Sequence, residues 1–201
     1  MSNKHLTKCT SIYIIKLDYH RSGVFKLRII SGSARGTKLF APEGLDTRPT
    51  LDRVREAVFS MIFGRTDEAV VLDLFAGSGA MGLEALSRGA LSADFVDIDS
   101  RACGCIRENI EKTHLEGAYV FNQDFKSFLQ SCTKKYDIIF LDPPYEAGYY
   151  ETALDTIRDK SLLADDGIIV VESGSANLDT RGYEIYRERK YGKANVYLLS
   201  R

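Results

Sequence analysis

The strongest constraint on the fold is a regular alternation of short apolar runs with helical patterns along most of the chain. The runs read AVVLDLF, SADFVDID, AYVFNQD, YDIIFLD and GIIVVES, and four segments with helical spacing lie between them. Continuous apolar runs are typical of strands that are buried on both faces. Strands that alternate with helices predict an α/β fold, in which a mostly parallel sheet has helices on both faces. The tail, GYEIYRERKYGKANVYLLS, has the pattern of a β-hairpin, which would add an antiparallel edge.

The part of the chain before this alternation has a different hydrophobic pattern. Residues 1–24 show little periodicity, whereas FKLRIISGSARGTKLFAP predicts two short strands joined by a turn rich in Gly and Ser. Thr50 is predicted to cap a helix over Leu51–Phe63, because apolar residues recur there at helical spacing. The predicted organisation is an extension (1–26), a small basic unit of hairpin and helix (27–65) and a main domain (66–201).

Charge is unevenly distributed, although the net charge of the whole chain is only −1. Residues 1–65 hold 12 Lys and Arg against 5 Asp and Glu, and residues 66–201 hold 15 against 23. This asymmetry favours contact of the N-terminal part with a polyanion. The alternative is a solvated charged surface on a small element.

The four cysteines indicate a reducing compartment. Cys103 and Cys105 are two residues apart, which is a poor spacing for a zinc site, and no histidines complete a ligand set. We therefore predict that the thiols are reduced and that the protein holds no metal. The sequence also has no apolar run of membrane-spanning length and no signal-peptide pattern, which predicts a cytoplasmic protein.

A glycine turn follows the first strand of the main domain, in the stretch Asp73-Leu-Phe75-Ala-Gly77-Ser78-Gly79. Ligands of such sheets bind beyond the carboxyl ends of the strands, and a glycine-rich turn lets a ligand approach the backbone. The Asp73 carboxylate suits a cationic ligand better than a pyrophosphate. The turn therefore favours S-adenosylmethionine over a dinucleotide, and a purely structural turn is the alternative.

Acidic residues also end the next two strands. Asp97 is placed to accept hydrogen bonds from ribose hydroxyls, and Ile98 to pack on an adenine face. Asp124 is placed to accept from the adenine amino group, with Phe125 beside it. Each acid also precedes a helix, so helix capping is the alternative, and for Asp99 capping is the predicted role.

The fourth strand ends in Asp142-Pro143-Pro144-Tyr145, and proline cannot continue a buried strand. The exocyclic amine of a base is a poor nucleophile, because its lone pair is delocalised into the ring. The Asp142 carboxylate and the Pro143 carbonyl can accept from its N–H groups and hold the lone pair toward a methyl donor, while Tyr145 stacks on the base. A rigid turn with a tyrosine lid is the alternative.

Four stretches together resemble the bacterial small-subunit ribosomal RNA guanine-N2 methyltransferases of the RsmD type, which are class I adenosylmethionine-dependent methyltransferases. They are LRIISGSARGTKLFAP, TRPTLDRVREAVFSMI, VLDLFAGSGAMGLEALSRGA and IIFLDPPY. The resemblance covers residues 27–200 and implies a seven-stranded Rossmann-like sheet. Residues 1–26 precede the usual start of the family, and Asp97 stands where the family often has glutamate.

The resemblance also implies roles for residues of the N-terminal part. Three of them would lie near the methionine end of the cofactor. Four basic ones would meet ribosomal RNA within an assembling small subunit, and rRNA alone is the alternative. For Arg53 a solvated helix face is an equal alternative. The first set is Arg48, Pro49 and Thr50, and the second is Arg28, Arg35, Lys38 and Arg53.

The predicted reaction is transfer of a methyl group to guanine N2 of rRNA, with the leaving proton passing to Asp142 or to water. Adenine-N6 methylation of DNA or RNA is the main alternative, because an acid followed by two prolines and a tyrosine also suits that amine. Protein glutamine methylation is disfavoured by Asp142, since asparagine commonly opens that motif. An RNA-binding module without catalysis and a nicotinamide dehydrogenase are both disfavoured.

Overall fold

The computed structural model describes residues 27–42, 49–144, 148–192 and 194–201, with residues 49–51 described by their backbone alone. The predicted N-terminal extension, Arg48 and Tyr145 lie outside the described residues. The helices are α1 (Pro49–Met61), α2 (Ala80–Ser87), α3 (Ser100–Thr113), α4 (Phe125–Ser131) and α5 (Tyr149–Asp159). The strands are β1 (Leu27–Arg28), β2 (Lys38–Leu39), β3 (Val70–Asp73), β4 (Ser92–Asp97), β5 (Ala118–Asn122), β6 (Tyr136–Leu141), β7 (Leu163–Ser173), β8 (Glu184–Tyr191) and β9 (Ala194–Ser200).

Seven of these strands form one sheet, in the order β5-β4-β3-β6-β7-β9-β8. The first five strands of that order pair in parallel, and β9 pairs antiparallel with both β7 and β8. The predicted mostly parallel sheet with a closing antiparallel hairpin is therefore confirmed. The last strand of the chain lies inside the sheet, which leaves β8 as the edge.

Side chains from the sheet feed two hydrophobic cores, one on each face. Val71, Phe140 and Val170 point to a core shared with α1, α2, α3 and the β1–β2 hairpin. Their neighbours Leu72 and Ile139 point to a second core, shared with α4 and α5. Because both faces are covered, the strands have continuous apolar runs instead of alternating ones.

The β1–β2 hairpin is attached to α2 through a buried glutamate. The Glu84 carboxylate accepts hydrogen bonds from the backbone N–H of Ile30 at 2.7 Å, of Ser31 at 3.0 Å and from the side chain of Arg88 at 2.8 Å. The guanidinium of Arg55, on α1, lies 3.9 Å away and also donates to the backbone carbonyl of Arg28. Burial lowers the pKa of Arg55, although Asp52 and Glu84 act in the opposite direction. Hairpin, α1 and α2 therefore share one polar network.

The hydrophobic core also crosses the predicted boundary at residue 65. Leu27, Ile29 and Leu39 of the hairpin pack in the same core as Val58 of α1 and Phe95 of the sheet. The division into a hairpin-and-helix unit and a main domain remains a prediction about function, because the two parts are joined through one core.

Two predicted helix boundaries are wrong. The first helix begins at Pro49, so Thr50 lies inside it and is not its N-cap, since proline is favoured at the first helical position. The predicted helix through YETALDTIRDKSLL ends at Asp159, because Ser161 adopts a left-handed conformation with φ of 53°. Leu163 then begins β7. No helix among the described residues has the length and apolar character to cross a membrane.

Candidate active site

The carboxyl ends of β3 and β6 lie side by side at the centre of the sheet. From β3 the chain adds β4 and β5 on one side, and then returns to place β6 and β7 on the other. This is the point at which strand order reverses, where sheets of this kind bind their ligands. Asp73 ends β3 and Asp142 follows β6, so the structure brings these two predicted site residues together.

The turn between β3 and α2 requires glycine at several positions. Gly77 and Gly79 have positive φ, at 54° and 74°, which other residues rarely adopt. A Cβ on Gly82 would lie 2.3 Å from the Phe95 ring, so α2 packs directly on the sheet. The side chain of the buried Asn109 donates to the Ser78 carbonyl at 3.0 Å and holds the turn from α3.

Asp97 is held at the end of β4 by two backbone donors. Its carboxylate accepts from the N–H of Gly77 at 2.8 Å and from the N–H of Asp99 at 2.8 Å. Each carboxylate oxygen has a further lone pair, so the oriented group can still accept from a pair of hydroxyls. The next residue, Ile98, is 73% exposed and offers an apolar surface beside it.

Asp99 and Asp124 both cap helices. Asp99 accepts from the N–H of Arg101 at 2.9 Å at the start of α3, which confirms its predicted role. Asp124 accepts from the N–H of Ser127 at 3.1 Å at the start of α4, through one of its two carboxylate oxygens. Asp124 therefore acts as a helix cap. That it also accepts a hydrogen bond from the adenine amino group stays a prediction.

An aromatic cluster forms the wall of the site on the side of α4 and α5. Phe75 of the turn lies 4.9 Å from the ring of Phe125 and 6.2 Å from that of Tyr149, between ring centroids. Phe125 and Tyr149 are 5.2 Å apart. Such contacts stabilise the wall beyond the burial of the rings. Phe125 is buried, so it supports Phe75 more than it presents a free face.

Three carboxylates lie on one face at the ends of neighbouring strands. Asp73 continues the face of Val71, and Asp142 and Glu172 follow the paired residues Leu141 and Val171 on β6 and β7. Because side chains alternate along strands, Asp142 and Glu172 point to the same side as Asp73. Within the described residues, no ion pair joins any of these three acids to a basic side chain.

The surroundings of these acids raise their pKa values. Burial raises the pKa of Asp73 to about 7, against a hydrogen bond from the N–H of Gly82, and the charge of Asp97 adds to the rise. Solvent reaches Asp142, yet the protein around its carboxyl group, the charge of Glu172 and that of Asp73 raise its pKa to about 8. Burial likewise raises the pKa of Glu172. A cation or a hydrogen-bond donor placed here would stabilise the ionised acids.

The two prolines after Asp142 differ in exposure: Pro143 is buried and Pro144 is exposed. Their fixed φ angles stiffen the chain directly after β6. The predicted use of the Pro143 carbonyl as an acceptor stays a prediction, as does the stacking role of Tyr145.

The strand-end residues fit adenosylmethionine. Hydroxyl and ammonium donors match the carboxylates, the exposed Ile98 matches an apolar base face, and the positive φ angles of the turn allow close approach of a ligand. Residues 74–82 contain no Lys or Arg, which a pyrophosphate would favour. Among the described residues, no group of three or more His, Cys, Asp or Glu is arranged to hold a metal ion.

Comparison with known proteins agrees with this geometry. The family model described as Conserved hypothetical protein 95 matches residues 27–200. The chain is 37% identical to ribosomal RNA small subunit methyltransferase D of Escherichia coli K12 over 185 residues, which cover 90% of this chain and 93% of that protein. The chain belongs to the small subunit methyltransferase D family.

Two further proteins, one compared by sequence and one by structure, resemble this methyltransferase D homologue over most of its length. A putative rRNA methyltransferase of Bacillus subtilis, YlbH, is 41% identical over 150 residues, or 73% of this chain and 82% of that one. The solved structure of a putative methyltransferase, yhhF of Escherichia coli, superposes with a TM-score of 0.79 at 38% identity, covering 87% of this chain and 97% of that one. The fold is that of the class I methyltransferases.

The basic residues predicted to meet RNA are exposed in this family member. Arg28 and Lys38 are directly paired across the β1–β2 hairpin, while their neighbours Leu27 and Leu39 point into the core. This pairing places two positive charges side by side on the exposed face of the hairpin. The α1 residue Arg53 is exposed as well.

Arg35 lies away from the strand ends. Its turn contacts Ser87, the last residue of α2, through the N–H of Ser33 and of Ala34. Since α2 begins at the glycine turn and spans eight residues, Arg35 is separated from the candidate site by about 12 Å of helix. A ligand that contacts both Arg35 and the strand ends must therefore span at least about this distance.

Sequence reasoning missed three residues of the site and its support. Glu172 follows a predicted strand, so the rule that ligands bind at strand ends would have found it. Asn109 and Glu84 lie inside helices, and nothing in their local sequence distinguishes them from ordinary polar helix residues. Their roles depend on distant backbone groups at Phe40 and Ile30.

Proposed function

We propose that this chain transfers a methyl group from S-adenosylmethionine to the exocyclic N2 amine of a guanine in small-subunit ribosomal RNA. One observation carries the proposal: an acid followed by two prolines ends the strand next to the glycine turn, at the point where strand order reverses. Membership of the methyltransferase D family supports both the reaction and the substrate class.

The cofactor would lie along the carboxyl ends of β3, β4 and β5. The Asp97 carboxylate would accept from ribose hydroxyls, Ile98 would pack on the adenine face, and Asp124 would accept from the adenine amino group. The backbone of Gly77-Ser78-Gly79, Phe75 and Phe125 would complete the part of the site that holds the cofactor. Asp73, with Arg48, Pro49 and Thr50, would surround the methionine end. When bound, adenosylmethionine supplies an electrophilic methyl group on a sulfonium.

Asp142 and Pro143 would orient the nucleophile. The Asp142 carboxylate and the Pro143 carbonyl accept one N–H each from the guanine amine, so that its lone pair points toward the methyl group. Tyr145 stacks on the guanine ring and fixes its plane. Because the prolines hold the acceptors in place, little reorganisation is needed during the reaction.

Asp142 is also placed to take the proton that leaves the amine. As the new N–C bond forms, the S–C bond breaks with its electron pair remaining on sulfur, and one N–H proton is lost. A carboxylate whose pKa is raised to about 8 is a stronger base than an ordinary aspartate. The proton then passes from Asp142 to solvent.

The proposed substrate is rRNA in the cytoplasm, either alone or in an assembling small subunit. The paired Arg28 and Lys38 on the hairpin, together with Arg53 and Arg35, supply positive charge for phosphates. Both forms of substrate contain the same target base, so the assay below uses them side by side.

The test is methyl transfer with tritiated adenosylmethionine onto small subunits and onto rRNA from a strain that lacks the corresponding enzyme. We expect N2-methylguanosine after nuclease digestion and mass spectrometry. Asp142→Ala should reduce kcat at least about 100-fold, in the range for loss of a group acting in the transition state. Formation of N6-methyladenosine, or an unreduced rate in Asp142→Ala, would contradict the proposal.

A further inference from the structure

The edge strand β8 carries an exposed basic surface that the site described so far does not include. Seven of its eight residues are exposed, and its sequence is EIYRERKY. Edge strands often carry charges that prevent pairing with other strands. Charges on either face would serve that purpose. On β8 the two arginines instead lie together on one face.

Register shows on which face the two arginines lie. Arg187 is paired with Leu198 and Arg189 with Val196, and both of these β9 residues point into the core that α1 covers. The Arg187 side chain accordingly donates to the backbone carbonyl of Met61 at the end of α1, at 3.4 Å. The alternating residues Glu188 and Lys190 point to the opposite face. Arg187 and Arg189 therefore lie on the α1-facing side with no acid between them, while Glu184, which is paired with Ser200, points to the same side at the start of the strand.

An aromatic ring lies within this basic surface. A register shift between Ile185 and Arg187 marks a bulge at Tyr186, whose side chain is 55% exposed. The guanidinium groups of Arg65 and Arg187 each lie 5.7 Å from the centre of its ring. Aromatic rings interleaved with arginines are typical of surfaces that bind single-stranded nucleic acid, because bases stack on the rings while arginines contact phosphates.

The surface is aligned with the candidate active site. Arg189 pairs with Val196, Val196 pairs with Glu172, and Glu172 follows the residue paired with Leu141. Arg189 is thus three strands from Asp142 along one row, or about 14 Å at the usual strand spacing. That distance corresponds to about four stacked nucleotides of one strand.

We propose that Arg65, Tyr186, Arg187 and Arg189 form a second RNA-binding surface, which contacts the phosphate backbone about four nucleotides from the target base. The proposal rests on the proposed function, because it takes the substrate to be RNA. The helix α1 lies between this surface and the basic hairpin: Arg55 contacts Arg28 on one flank, and Met61 contacts Arg187 on the other. RNA at the strand ends would therefore meet positive charge on both sides of α1.

The test compares variants of one strand. Arg187→Gln with Arg189→Gln removes the α1-facing charge, and Lys190→Gln removes a charge of the same strand from the opposite face. Affinity for a fluorescein-labelled fragment of small-subunit rRNA is measured by fluorescence anisotropy over a series of KCl concentrations. Calorimetry with adenosylmethionine and light scattering are run on each protein as checks of the cofactor site and the oligomeric state.

We expect the double variant to bind RNA about 10-fold more weakly and to lower the slope of log K against log salt by about 1.5, since each lost phosphate contact removes 0.7–0.9. Lys190→Gln should match the unsubstituted protein in both measurements. Both variants should bind adenosylmethionine with the same affinity as the unsubstituted protein.

Two results would overturn the second surface while leaving the proposed function intact. One is RNA affinity in the double variant equal to that of the unsubstituted protein. If the double variant also self-associates, the two arginines serve only to protect the sheet edge. The other is an equal loss in Lys190→Gln, which would show a general effect of charge. If the unsubstituted protein binds no RNA, the proposed function fails, and this surface fails with it.

Discussion

At the scale of single residues, the site is an arrangement of carboxylates without basic partners among the described residues. Asp73, Asp142 and Glu172 lie on adjacent strands, burial raises the pKa of each, and the charges of Glu172 and Asp73 add to the rise in the pKa of Asp142. Acids that exist only for structure are usually paired, as Glu84 is with Arg88. Unpaired acids at strand ends mark a place where function takes precedence over stability.

Glu172 should set the pH dependence of the reaction through Asp142. In the proposed reaction the ionised Asp142 carboxylate accepts from the guanine amine, so kcat/KM should rise with pH up to about 8. Glu172→Gln removes a negative charge that raises the pKa of Asp142, and the acidic limb should therefore move to lower pH. The measurement is a pH–rate profile of methyl transfer for both proteins. An acidic limb that stays in place would show that Glu172 does not act on Asp142.

The same acid should lower stability at alkaline pH. The pKa of Asp142 in the folded protein, about 8, lies above its ordinary value of 3.8, so stability falls as pH rises between these values. Asp142→Asn should therefore raise the Tm more at pH 8 than at pH 4. Differential scanning fluorimetry at both pH values measures this. Asp137→Asn serves as a control, because Asp137 is exposed on the same strand; an equal gain at both pH values would contradict the expectation.

At the scale of elements, the glycine turn depends on close packing between α2 and β4. The Phe95 ring occupies the space that a side chain at Gly82 would need, while the space around Gly104 on α3 is open. Both glycines lie in helices, so the same substitution separates packing from helix propensity.

Gly82→Ala should destabilise the protein by about 1–3 kcal/mol through overpacking against Phe95. Gly104→Ala should stabilise it by about 0.5–1 kcal/mol, since alanine loses less conformational freedom in a helix. Urea unfolding followed by circular dichroism gives both values. Equal effects of the two substitutions on stability would show that the contact with Phe95 does not restrict which residue can occupy position 82.

At the scale of the whole molecule, the β1–β2 hairpin is coupled to the seven-stranded sheet through Glu84. This buried carboxylate joins α2 to two backbone N–H groups that belong to the hairpin, and it lies against Arg55 of α1 and Arg88. Removing one partner of a buried charged network leaves the others unsatisfied.

Glu84→Gln should therefore destabilise the fold by about 3–5 kcal/mol. The amides of Ile30 and Ser31 should exchange hydrogen faster, because the hairpin loses its attachment before the sheet unfolds. Hydrogen exchange measured by mass spectrometry tests this, with Glu56→Gln, an exposed change on α1, as the control. Unchanged protection of the hairpin would show that apolar packing alone holds it.

The sequence alone determined the α/β class, the order of its elements and the strand-end positions of Asp73, Asp97, Asp124 and Asp142. These follow from local patterns, because hydrophobic periodicity and turn residues act over a few neighbours. Only the tertiary structure decided that Glu172 lies beside Asp142 and that Asn109 and Glu84 hold the turn and the hairpin. It also placed Arg187 and Arg189 on the α1-facing side of β8. Those facts depend on strand register and on contacts between residues distant along the chain, which no local pattern encodes.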